Sequence, residues 1–118
     1  MIQSFRGLKV YERSYRIALE MYQAAMKWSK EETYGLISQV KRAATSIPLN
    51  IAEGYGKRGS AVEFKRFLSM AIGSCDEVKV LLDFAKDLGF IESVGYERYQ
   101  HEYEEIGRML YVLRERWK

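Results

Sequence analysis

Apolar side chains recur at steps of three and four along most of this chain, and that rhythm predicts helices. From about Leu8 to Trp28, the residues Val10, Ile17, Met21 and Trp28 form one row, and Tyr11, Tyr15, Ala18, Tyr22 and Ala25 form a second beside it. The apolar face of this first helix is wider than packing against one neighbour requires. Polar residues from Ser29 to Thr33 read as a loop, and Tyr34-Gly35 leads into a second helix. There Leu36, Val40, Ala43 and Ile47 are spaced four, three and four, and the next steps fall on Asn50 and Gly54. The helix is therefore expected to run through Pro48, with a kink, because proline removes a backbone donor and crowds the preceding turn. Gly54-Tyr55-Gly56 is expected to close it, with glycine in the left-handed conformation.

Ser60, followed three residues later by Glu63, has the spacing of a capping box and opens a third helix from about Ala61 to Leu88. Phe64, Leu68, Ala71, Cys75, Val78, Leu82 and Ala85 alternate four and three, the period of a long packing seam. Phe67, Ser74, Leu81 and Leu88 flank it, and Gly89 stands where a helix C-terminus favours glycine. A fourth helix from about Ser93 carries Tyr96, Tyr99, Tyr103, Ile106, Leu110, Leu113 and Trp117 on one face. No segment alternates with the period of a strand. The fold class read from this pattern is all-α: an antiparallel up-down-up-down four-helix bundle with helix two kinked at Pro48. Residues 1–118 read as one domain, large enough for its own core.

Composition narrows the possibilities. With 47% hydrophobic residues and one proline, the chain is expected to fold rather than stay disordered. No long uncharged apolar run predicts a membrane span, and Arg6 and Lys9 are not followed by a signal-peptide pattern. A lone cysteine fits a reducing compartment, so the expected location is cytoplasmic. The net charge of +3 is unevenly spread. Residues 1–75 hold twelve Lys/Arg against six Asp/Glu, residues 76–105 hold three against nine, and the remaining thirteen return +3. This asymmetry is compatible with a basic face offered to an anionic polymer. Charge alone favours the plainer reading, opposite charges pairing between neighbouring helices or subunits.

The candidate chemistry is sparse. Gly54-Tyr55-Gly56-Lys57-Arg58-Gly59 matches the dinucleotide fingerprint, but that motif works only after a strand, and a helix precedes it here. A basic turn feeding a helix N-terminus still offers a phosphate contact, and the alternative is an ordinary solvated turn. Asn50, on the core rhythm, is expected to be buried and hydrogen-bonded, using the Ala44 carbonyl that Pro48 leaves without a donor. Glu53, nearer the edge of that face, is expected to pair with a basic residue. Gly73-Ser74 is expected to allow a close helix approach, with Glu77 meeting Arg42 or Lys41 across the bundle. These polar residues read as structural. His101 is the only histidine, so a carboxylate-rich metal bundle, which needs two Glu-x-x-His motifs, is excluded. Cys75 lies on the apolar seam without a histidine partner. No catalytic set, metal site, cofactor or small-molecule substrate is expected.

The chain resembles the bacterial four-helix-bundle family of 23S ribosomal RNA intervening-sequence proteins. The resemblance is carried by Tyr34-Gly35-Leu36, Gln39, Lys41-Arg42-Ala43-Ala44, Ser46-Ile47-Pro48 and Asn50-Ile51-Ala52-Glu53-Gly54. It continues through Phe67-Leu68, Ala71, Gly73-Ser74, Glu77 and Ile106-Gly107-Arg108-Met109-Leu110, and Phe5 and Leu8 also fit. Leu49 departs from it, standing where a smaller residue is expected. The resemblance implies a bacterial protein without established enzymatic activity, whose relatives assemble as homopentameric rings. A related bundle, accessory to the reverse transcriptase of diversity-generating retroelements, is basic and implies nucleic acid as a partner.

The expected function is thus a non-enzymatic, self-associating bundle with RNA or DNA as its partner; the alternative is a pure assembly protein. Self-association is also expected from the Tyr-rich face of helix one and from second rows on helices two and three (Ile37, Ala44, Ile51; Phe67, Leu81, Leu88). Nucleic-acid contact is expected to centre on Lys57, Arg58, Lys65 and Arg66, supported by Arg6, Lys9, Arg13 and Arg16.

Overall fold

The computed structural model of the chain describes residues 4–28 and 33–118, which form four helices and, among those residues, no strand. The helices are α1 (Lys9–Ala25), α2 (Ser38–Gly56), α3 (Ala61–Asp87) and α4 (Ser93–Arg116). A single 3₁₀ turn, Phe5–Gly7, precedes α1, and a wider π-type turn, Thr33–Ile37, leads into α2. Apart from Thr33, the expected Ser29–Thr33 loop lies outside the described residues.

The packing follows the apolar rhythm. Val10, Ile17 and Met21 of α1, Val40, Ala43 and Ile47 of α2, the α3 seam from Phe64 to Ala85, and Tyr103, Ile106 and Leu110 of α4 are buried in one cluster. Helix α2 packs between α1 and α3, α3 packs between α2 and α4, and the α1–α4 contact is the slightest of the four. That order explains why the second rows differ from expectation. Ile37, Ala44, Ile51, Phe67 and Leu81 are buried within this one chain, because α2 and α3 each have two neighbours; only Leu88 of those rows is exposed. On α1, with less to pack against, Tyr15, Leu19, Tyr22 and Met26 stay largely in solvent.

Polar pairs join the helices along their length. Lys41 Nζ sits 4.7 Å from the Tyr22 ring centroid, linking α2 to α1. Between α2 and α3, Arg42 meets Glu77 at 2.5 Å and Ser46 Oγ donates to Ser74 Oγ at 2.7 Å. Between α3 and α4, Lys79 pairs with Glu104 at 3.2 Å, and the Tyr96 hydroxyl donates to Asp83 at 2.6 Å. Between α1 and α4, Arg13 pairs with Glu102 at 2.7 Å and Arg98 with Glu20. Trp28 stacks on Phe90 at 5.6 Å near one end of the molecule, which measures 45 × 23 × 21 Å.

Helix ends depart from the sequence reading in two places. Helix α2 runs through Gly56 and ends at Lys57 with φ −106°, so neither Gly54 nor Gly56 is left-handed. The end is closed instead by short i→i+3 bonds, Lys57 N–H to Gly54 O at 2.9 Å and Ser60 N–H to Lys57 O at 3.0 Å. The Ser60 hydroxyl accepts from Glu63 N–H at 3.2 Å, whereas the Glu63 carboxylate turns to Arg66, so only half of the capping box forms. Gly89 does adopt φ +84°, and its N–H bonds to Lys86 O while Phe90 N–H bonds to Ala85 O, the paired closure of a Schellman motif.

Two small residues also act otherwise than expected. A Cβ on Gly73 would meet nothing within 4 Å, so no close approach occurs there within the chain. The tight contact is at Gly54, where a Cβ would stand 2.6 Å from Phe67 Cβ and 3.2 Å from Phe64 Cδ1. Asn50 is half-buried rather than buried, and its Nδ2 donates to Ser46 O at 2.9 Å, not to Ala44. The core rhythm passes to Ile51 and Gly54, both buried, which leaves Asn50 at the edge of the face.

Candidate nucleic-acid interface

The α2–α3 turn is built on two aromatic rings that carry its cations. Tyr55 and Phe67 are buried, and each ring lies under guanidinium or ammonium groups. The Arg58 guanidinium carbon is 4.1 Å from the Tyr55 centroid, and its Nη1 also donates to Tyr55 O at 2.9 Å. Lys57 Nζ and the Arg66 guanidinium carbon stand 5.3 and 4.7 Å from the Phe67 centroid. A ring beneath a cation fixes its stem by packing and by quadrupole attraction while the charged head stays wet. Lys65, one residue earlier on α3, is half-buried.

Carboxylates near the turn are few. Arg66 pairs with Glu63 at 3.2 Å one turn back on its own helix, and both side chains are well exposed. That hydrogen bond chiefly lowers the Glu63 pKa and raises that of Arg66, with a smaller push on Arg66 from Glu53. An exposed i,i+3 pair is weak and readily exchanged for a phosphate. Among the described residues, Glu53 makes no ion pair within 4 Å, and Lys57, Arg58 and Lys65 have no carboxylate partner.

The stripe on α1 is engaged differently. Arg13 bonds Glu102 of α4 and lies 3.5 Å from Met109 Sδ, and Arg16 bonds Glu12 one turn back at 2.6 Å. The Glu102 hydrogen bond is the main cause of a raised Arg13 pKa. Lys9, Arg13, Arg16 and Arg98 line a groove with Glu12, Glu20 and Glu102, so the α1–α4 seam is a mixed network rather than a purely basic face. Arg6 and Lys9 are exposed at the start of α1, with the Arg6 guanidinium over the Phe5 ring. Phe5 shares a groove with Leu49 and Ala52 of α2, which brings Arg6 toward the same end as the turn.

Sequence reading left the cations of the α4 C-terminus unplaced. Trp117 packs edge-on against Phe64 at 4.7 Å and against Tyr55 at 6.5 Å, and Arg114 donates to Ser69 Oγ of α3 at 3.0 Å. The signal lay in the α4 rhythm, which reaches Trp117 and so ties the end of α4 to the core.

Among the described residues, no three His, Cys, Asp or Glu side chains gather as a metal site. Burial pushes the Cys75 thiol up to about 12, which leaves it protonated near neutrality. No helix of the described residues is long and apolar enough to cross a membrane.

Comparison with curated proteins yields no match. A family model described as "23S rRNA-intervening sequence protein" matches residues 6–112, which take in the four-helix core and the turn. By that match over nearly its whole length, the chain belongs to the 23S rRNA-intervening sequence protein family.

Proposed function

We propose that this protein is a non-enzymatic, self-associating bundle that binds the phosphate backbone of RNA or DNA through the α2–α3 turn. One observation carries the reading. Midway along the bundle, cations are spent on carboxylates of neighbouring helices, as in Arg13–Glu102, Arg42–Glu77 and Lys79–Glu104. At the turn, no interhelical carboxylate takes Lys57, Arg58, Lys65 or Arg66 among the described residues. Arg6 and Lys9 extend this end, while Arg13 and Arg16, already bonded to Glu102 and Glu12, contribute less. Such contacts are largely indifferent to sequence, because phosphates position a protein without reading bases. Lys57→Glu combined with Arg58→Glu is expected to abolish retardation of a labelled RNA at low salt, with oligomer mass unchanged. Unaltered affinity in that variant removes the turn from the binding surface.

The reading extends to architecture. The cross-helix pairs, in which numbers rise along one helix as they fall along the next, support an antiparallel up-down-up-down bundle forming a single domain. Pro48 leaves the Ala44 carbonyl without its backbone donor, which supports a bend in α2. Self-association is supported by an apolar groove of about 330 Å³ lined by Tyr11, Tyr15, Leu19, Pro48 and Leu49. A separate exposed stripe, Val80, Phe84 and Leu88, lies on α3. Two unlike patches suit a head-to-tail contact, which gives a ring where the rotation closes, and the family resemblance supports a ring of five. The single buried cysteine and the lack of an apolar span fit a cytoplasmic protein without a membrane partner, and no small-molecule substrate is proposed.

The exposed apolar stripes favour a second reading, pure assembly, in which the basic end meets acidic residues of the next subunit. It predicts no affinity for RNA or DNA at any salt concentration.

A further inference from the structure

We infer that the last turn of α4 belongs to the same anion-binding end, with Arg114, Arg116 and Lys118 as phosphate contacts and Trp117 as their positioning residue. The inference rests on the nucleic-acid reading above and deepens it. Rings of α2, of α3 and of the residue that caps α4 meet here: Tyr55 lies 5.9 Å from Phe64, and Trp117 closes on Phe64 at 4.7 Å. Arg58 sits over Tyr55, one ring away from Trp117, so the aromatic cluster ties the α4 cations to those of the turn. Arg116 and Lys118 flank Trp117 in the chain and are exposed. Arg114 reaches Ser69 on α3, and its carboxylate partner, Glu115, is its own chain neighbour.

Cations in a last helical turn offset the helix dipole, and that alone explains one or two of them. It does not explain why Trp117 packs on Phe64 and Arg114 reaches Ser69, both on α3, whose N-terminus adds positive potential of its own. Across the whole end, seven cations of the α2–α3 turn, the start of α3 and the end of α4 stand with three side-chain carboxylates, Glu53, Glu63 and Glu115. Four of the seven are arginine, whose planar fork suits phosphate oxygens. A lipid surface would call for apolar side chains to insert. The rings here are turned on each other, with Phe64 fully buried and Tyr55 nearly so, and the first turn of α3 exposes a single large apolar side chain, Val62. A polymer presenting many phosphates across an end about 23 by 21 Å is the partner that fits.

The test is fluorescence anisotropy on the full chain across a salt series, with a labelled RNA hairpin and a labelled DNA duplex as probes. Arg116→Gln with Lys118→Gln should weaken binding and reduce the slope of log K against log salt by roughly 1.4–1.8, two contacts' worth. Lys27→Gln with Lys86→Gln makes the same charge change near the Trp28–Phe90 end and should leave the slope unaltered. Trp117→Ala, which keeps every charge, should weaken binding, and Trp117→Phe should restore it. Circular dichroism and light scattering are to check that each variant keeps its helicity and mass. A parental slope in the Arg116/Lys118 variant, with the parent binding normally, overturns the inference and leaves the turn as the site. An equal loss in the Lys27/Lys86 variant overturns it in favour of net charge. A parent that binds neither probe overturns both readings, as does binding only to phosphatidylserine vesicles.

Discussion

Gly54 shows how much one missing methyl can decide. A Cβ there would overlap Phe67 Cβ, a backbone-proximal atom that cannot swing away, and press on Phe64. Gly54→Ala is therefore expected to destabilise the protein by about 1–3 kcal/mol through overpacking, despite alanine's better helix propensity. Gly73→Ala, with open space around the new methyl, should instead stabilise by up to about 1 kcal/mol. Urea denaturation of both variants checks the pair; the opposite ordering would mean that the α2–α3 approach is misdescribed. Buried titratable groups make a second prediction at this scale. Burial raises the Cys75 thiol from 9.0 to about 12, and burial likewise raises the Tyr103 phenol, whose hydroxyl has no hydrogen-bond partner among the described residues. Folding thus holds these protons when the unfolded chain has released them, so stability is intact below pH 9 and falls as pH rises toward 12. Cys75→Ala should flatten part of that alkaline decline in pH-dependent thermal melts.

At the scale of elements, the apolar period carried most of the fold. The α3 seam from Phe64 to Ala85 and the α2 row from Leu36 to Ile47 are buried as their spacing predicts. Burial in a helix is dictated by which face meets a neighbour, and the period reports that face directly. It does not report how many neighbours there are. On spacing alone Ile51 and Phe67 therefore suggest subunit contacts, although α2 and α3 each bury two faces inside the chain. Pairing of charges was legible only in part, because Arg13 finds Glu102 across 89 positions through a helix contact that local spacing cannot show. The Gly89 stop was fully legible, since only a left-handed residue permits the closure that follows it. Gly89→Ala should cost about 1–2 kcal/mol in equilibrium unfolding, the penalty for forcing a Cβ into that conformation. A neutral result would show that the Schellman closure contributes little.

At the scale of the molecule, charge and apolar surface divide the labour. Tyr15 is 53% and Leu19 49% exposed beside an apolar groove, the surface on which the proposed self-association would rest. Light scattering at micromolar concentration should return a multiple of 13.8 kDa, and Leu19→Glu should shift it toward the single chain. A monomeric mass for the parent would remove self-association. The cations, by contrast, gather at the end where α2 gives way to α3, and the central claim is that this end meets phosphate. The direct test is the affinity of the parent protein for labelled RNA as salt is raised. The account predicts log K falling linearly with log salt, with a slope of at least roughly 3 in magnitude for the four turn cations. Absence of binding at low salt, or an affinity that salt does not weaken, would contradict it.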